Sequence, residues 1–143
     1  MRLTILTGAI ILACIGASFA DDDPIKARKA LMDANGDTSK PLVPILKGQA
    51  PFDLATAQTA LKAYMETAEK APALFPPGSD KGKTHALPAI WQNKSDFEAR
   101  FAKFGEDAKA AMASVKDEAT FKAGFAPIFK DCGGCHELYR EKE

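Results

Sequence analysis

Cys132-Gly133-Gly134-Cys135-His136 lies close to the C-terminus of the 143-residue chain, and the rest of the sequence is read outward from it. The spacing C-x-x-C-H puts two thiols and an imidazole at positions i, i+3 and i+4, so on a helix all three side chains leave one face. Two such thiols can each add across a haem vinyl group to form thioethers, and the histidine that follows is held where it can bind the iron. The pentapeptide thus offers two covalent anchors, Cys132 and Cys135, and one axial ligand, His136, to a single haem c.

Competing uses of the cysteines fit less well. A zinc site needs four protein ligands, and beyond the cluster the chain has only His85 and Cys14 to give. A thioredoxin-like redox pair requires alternating strands and helices, and no strand pattern is present. His85 sits in a proline-rich stretch with no second ligand beside it and reads as a solvated loop histidine.

The N-terminus reads as an export signal. Met1 and Arg2 make a basic start, Leu3 to Ile15 is largely apolar, and Gly16-Ala17-Ser18-Phe19-Ala20 supplies small residues before Asp21-Asp22-Asp23. The division expected is a cleavable signal peptide over 1–20 and one haem domain over 21–143, in the periplasm. The apolar run is shorter than the ~20 residues that span a bilayer, and no other segment approaches that length. Ile11-Leu12-Ala13-Cys14 loosely resembles a lipoprotein cleavage site, but Ser18-x-Ala20 is the more ordinary exit. Cleavage would remove Arg2 and leave 18 basic and 19 acidic side chains, down from 19 of each. Nothing in that balance suggests nucleic acid or an anionic membrane as partner.

The remaining pattern is helical. Asp23 caps a first helix with Pro24 at its first position, and Ile25, Arg28, Leu31 and Met32 share one side. Gly36 to Pro41 interrupts it, Pro44 adds strain, and Lys47-Gly48 marks its far end. Asp53 caps a second helix with a stripe of Leu54, Ala57, Leu61, Tyr64, Met65 and Ala68, which runs until Pro72. Residues 72–88, with four prolines, form a long crossover. Ser95-Asp96-Phe97-Glu98 matches a capping box for a third helix, whose stripe is Phe97, Phe101, Phe104, Ala108, Ala111, Met112 and Val115. Trp91, just before it, reads as an apolar plug at the end of the bundle. A fourth helix after Lys116-Asp117-Glu118 turns Phe121, Phe125, Ile128, Phe129 and the haem motif inward, and Pro127 asks it to bend before the motif. The fold expected is all-α, an antiparallel four-helix bundle with covalently bound haem in its core.

The chain resembles the class II c-type cytochromes, the cytochrome c prime family. The likeness is carried by Arg28-x-x-x-Met32, Lys47-Gly48-Gln49-Ala50-Pro51-Phe52-Asp53, Ile90-Trp91 and Cys132-x-x-Cys135-His136-x-x-x-Arg140, and it spans the mature chain. It implies a left-handed antiparallel bundle, periplasmic location and, in many members, a homodimer. High-spin members leave the sixth iron position empty behind an apolar side chain and bind nitric oxide or carbon monoxide. In the low-spin cytochrome c-556 branch a methionine occupies that position, and Leu31-Met32-x-x-Asn35-Gly36 is closer to this branch. The resemblance also implies a haem-edge role for Arg28, near a propionate, and for Arg140, beside the proximal imidazole.

A thioether at Met32 makes chemical sense opposite His136, because soft sulfur favours ferrous iron and raises the reduction potential. Met65 and Met112 are rival ligands, but each lies on a stripe better explained by core packing. Lys130 and Lys142 read as a solvated rim. No acid and base pair suggests an enzyme. Two functions follow: electron carriage between redox partner proteins, or gas capture if Met32 merely packs against the haem. Replacing His136 should abolish the native haem spectrum; an unaltered absorption spectrum in that variant would overturn the proximal assignment.

Overall fold

The fold is taken from a computed structural model that describes residues 23–142. The proposed leader, including Cys14, lies outside the described residues. Four long helices make the bundle expected: α1 (Pro24–Ser39), α3 (Leu54–Lys70), α5 (Lys94–Ser114) and α6 (Glu118–Tyr139). Two short helices, α2 (Leu42–Leu46) and α4 (Ala89–Gln92), and a single 3-10 turn (Ala71–Leu74) lie in the connections. No described helix is long and apolar enough to cross a membrane.

Local chemistry explains most boundaries. Asp23 accepts from the Ile25 N–H at 2.9 Å with Pro24 in the first turn, and Asp53 accepts from the Thr56 N–H at 2.8 Å. The first helix, however, is not interrupted at Gly36: α1 runs through it, and the break falls at Lys40 and Pro41. Two bonds to α3 hold this stretch helical. Thr67 Oγ1 donates to Asn35 Oδ1 at 3.0 Å, and the Ser39 and Tyr64 hydroxyls are 2.6 Å apart. Gly48 then reverses the chain at φ 67°, a conformation that glycine adopts without steric cost.

The capping box expected at Ser95 is absent. Helix α5 begins at Lys94, with Asn93 as its non-helical N-cap at φ −123° and ψ 45°, so Ser95 already lies inside the first turn, and Asp96 faces a different partner. The box occurs instead at Asp117 and Thr120, where the side chain of each accepts from the other's backbone N–H. Pro127 lies inside α6 without ending it. Its ring removes one backbone hydrogen bond, and an exposed position lets water take the carbonyl that is freed.

Helix α3 packs against α1 and α5, and α5 packs against α6. Small residues set these distances. A Cβ on Gly105 would stand 2.9 Å from the Ala68 Cβ, and one on Gly124 would be 3.2 Å from Val115 Cγ2. Tyr64, Leu61, Phe121, Phe125 and Ile128 are buried in the interior, whereas Leu54 of the expected stripe is exposed. Each fully buried ring or aliphatic side chain contributes about 1.5–3 kcal/mol of burial.

The crossover is pinned by one buried cation. Arg28 Nη1 donates to Leu74 O (3.1 Å) and Ser79 Oγ (2.9 Å), and Nη2 donates to Ser79 O and Thr84 Oγ1, both at 2.8 Å. The guanidinium also stacks 4.4 Å from the Phe75 ring centroid. Trp91 is half-buried rather than a sealed plug, and its Nε1 donates to Pro76 O at 3.0 Å. Two backbone bonds tie the far end of the crossover to the C-terminus: Leu87 N to Tyr139 O and Glu141 N to His85 O.

Gly105→Ala should lose about 1–3 kcal/mol in urea unfolding despite its better helix propensity, because the α3–α5 seam must open. Arg28→Leu should cost about 2–4 kcal/mol by leaving four acceptors unmet, and it should expose residues 75–85 to limited proteolysis. Arg28→Lys should restore little, since an ammonium cannot reproduce the planar fork.

Candidate haem site

A cavity of about 660 Å³ opens between α1 and α6, along the seam where these two helices do not close on one another. That volume lies within the range of about 300–1,000 Å³ found for small-molecule and cofactor sites. Its walls are mainly apolar, with Phe97, Phe101 and Phe104 from α5, Phe129 from α6 and Ile90 from α4.

The motif forms one wall. Cys132 and Cys135 are unpaired, half-buried thiols in the sixth helix, and His136 sits at the exposed rim. Burial, followed by the Asp131 carboxylate, pushes the Cys132 thiol up to about 11. Burial also raises Cys135, against the opposing pull of the Arg100 guanidinium. Both sulfurs are therefore neutral thiols at neutral pH. His136 is lowered by burial and then by the positive charge of Arg140, which favours the neutral imidazole, the form that binds a metal. Two adjacent thiols, a neutral imidazole and an apolar chamber of this size fit covalent haem.

Opposite this wall, α1 brings Arg28 and Met32 to the cavity one turn apart. Met32 is half-buried and packs against the core. Met65 and Met112 also pack against the core but are not on the cavity wall. Arg28 lines the cavity while giving four of its five N–H groups to the crossover, so its main commitment is to the loop. Arg140 caps α6, donates its backbone N–H to His136 O at 3.2 Å, and forms an antiparallel bridge with Ala86 at the cavity edge. His85 is also at the mouth, exposed, with Nδ1 3.4 Å from Glu141 Oε2.

One support escaped the sequence reading. Tyr139 Oη donates to Asp96 Oδ2 at 2.5 Å, and Arg100 Nε donates to the same oxygen at 2.7 Å. Arg100 and then Tyr139 hold the Asp96 carboxyl below the usual carboxylate range. This trio pins α5 to the end of α6 beside the motif. The spacing of Asp96 and Arg100 at i, i+4 was visible in the sequence, but the Tyr139 partner was not.

The comparisons agree with this geometry. A family model described as Cytochrome C' matches residues 23–140. A cytochrome c' of Rhodopseudomonas palustris is 39% identical over 144 residues, covering 100% of this chain and 98% of the relative. A cytochrome c-556 of the same organism is 38% identical over 149 residues, covering 100% and 99%. The solved structure of a cytochrome c' from Rhodopseudomonas palustris superposes with a TM-score of 0.81 at 42% identity, covering 85% of this chain and 98% of that one. With the family model spanning residues 23–140 and these relatives matched over nearly their whole length, the chain belongs to the cytochrome c' family, whose members carry one covalently attached haem c.

Proposed function

We propose that this protein is an exported one-electron carrier whose haem is attached through Cys132 and Cys135 and whose iron is held by His136 and Met32. The observation that carries the reading is the placement of Met32: of the three methionines among the described residues, it alone lines the cavity, on the helix facing the motif. Haem supplies the one-electron chemistry when bound, and a histidine and thioether pair sets a potential suited to electron carriage.

The chain's own residues supply position and shielding. Helix α6 presents His136 at a fixed register to both cysteines. The phenylalanines of α5 exclude water, which limits solvent reorganisation around a change of charge. Arg140 lies at the edge beside the proximal imidazole, and Arg28 holds the crossover that borders the cavity. The exposed rim around His136 is the contact for redox partner proteins, and the leader over 1–20 directs the chain to the periplasm. A homodimer is in keeping with the family, which is often dimeric.

A second reading, capture of nitric oxide or carbon monoxide at a vacant sixth position, is favoured by the cytochrome c' name of the first relative and of the solved structure described above, beside a second relative named cytochrome c-556. Visible and near-infrared absorption separates the two. The carrier reading expects a low-spin ferric spectrum with a methionine-to-iron charge-transfer band and little response to carbon monoxide. Met32→Ala should become high-spin and gas-responsive. A wild-type protein that is already high-spin and shifts with the gas would transfer the assignment to gas binding.

A further inference from the structure

Asp131 is a carboxylate on the cavity wall, immediately before Cys132, and its side chain is only 14% exposed. Helix α5 faces it with Lys103, whose Nζ is 3.2 Å from Asp131 Oδ1 and 2.5 Å from Asp107 Oδ2. One lysine therefore serves two carboxylates, and its single positive charge neutralises one of them while the other stays in a largely buried wall.

We propose that the Asp131–Lys103–Asp107 cluster takes up a proton when the haem iron is reduced, linking the reduction potential to pH. Asp131 gains a proton from solvent as ferric iron gains one electron from a one-electron donor and becomes ferrous. Charge is conserved, since the carboxylate becomes a carboxylic acid while the iron loses one positive charge.

Several observations place that proton on Asp131. Its burial raises it above the usual carboxylate range, whereas Lys103 holds Asp107 below that range. Asp131 lies in the cavity wall, where a charge is screened less than on the surface. Its other charged surroundings are limited. On its own helix are exposed Lys130 and the Cys132 thiol, and α5 adds Arg100 further along the wall. Across the cavity, α1 contributes Arg28, engaged by the crossover, and the oppositely charged pair Lys29 and Asp33. Among the described residues, Lys103 is the one cation in contact with both acids.

The inference rests on the haem assignment, and either axial reading has a ferric and ferrous couple to measure. The experiment is spectroelectrochemical titration of the haem-loaded protein at low ionic strength from about pH 4 to pH 8. A deprotonated Asp131 favours ferric iron, so the potential should fall as pH rises through its titration. The expected change is two- to fivefold in the ferrous-to-ferric equilibrium, about 20–40 mV where tenfold is 59 mV. Asp131→Asn should flatten that fall near the acid-limb potential of the wild type. Lys103→Met should move the inflexion to higher pH, because the carboxylate loses its counter-ion.

A flat wild-type profile would overturn the proposal, as would an Asp131→Asn profile with the wild-type slope. Should Asp131→Asn fail to load haem, the Lys103→Met inflexion decides, and an unmoved inflexion rejects the cluster. A high-spin spectrum with a pH slope abolished by Asp131→Asn would reject the carrier reading and keep this one. A low-spin spectrum with a flat profile would do the reverse.

Discussion

The structure depends on keeping one seam of a helical bundle open while the other three are closed. Protein interiors normally pack to crystal-like density, and an apolar void is costly, so a 660 Å³ chamber needs a frame. The frame comes from pairing small residues with one another and large residues with the chamber. Gly105 against Ala68 and Gly124 against Val115 draw α3, α5 and α6 together on the far side. The phenylalanines at 97, 101 and 104 then line the open side, where a haem would find apolar side chains to pack against.

Charge is used sparingly inside this frame. Arg28 is buried without a carboxylate partner and is satisfied by carbonyl and hydroxyl oxygens of a loop that has almost no regular structure of its own. The crossover has its shape because four acceptors converge on a planar cation and two aromatic rings flank it. The motif end uses a different device, an aspartate shared by an arginine and a tyrosine, to fix the terminal turn of α6 against α5.

Features that depend on local spacing were legible in the sequence. The haem motif and the caps at Asp23 and Asp53 follow from residue type and local spacing, and the stripes of α5 and α6 from three- and four-residue periodicity, whereas the cavity-facing position of Met32 was expected from the family resemblance. What could not be read depends on contacts between distant segments. The partners of Arg28 lie 46 to 56 residues away in a stretch whose prolines advertise irregularity but not its shape. Gly36 looked like a helix breaker because the bonds from Asn35 and Ser39 to α3 are invisible in one dimension. Ser95 matched a capping box by type, yet the helix starts one residue earlier, at Lys94 after the cap residue Asn93, and the box formed by Asp117 and Thr120 uses threonine where glutamate or glutamine is the usual third residue.

Arg28 and Met32 are one turn apart on the same helix, and a helix is stiff over that distance. The crossover grips the first of them and the cavity receives the second, so a shift of the loop and a shift of the thioether are a single mechanical displacement. Ser79 reaches the guanidinium through both its hydroxyl and its carbonyl, though it is absent from the cavity wall. Variation at such a loop position therefore acts as a remote adjustment of the helical lever that carries Met32 to the cavity.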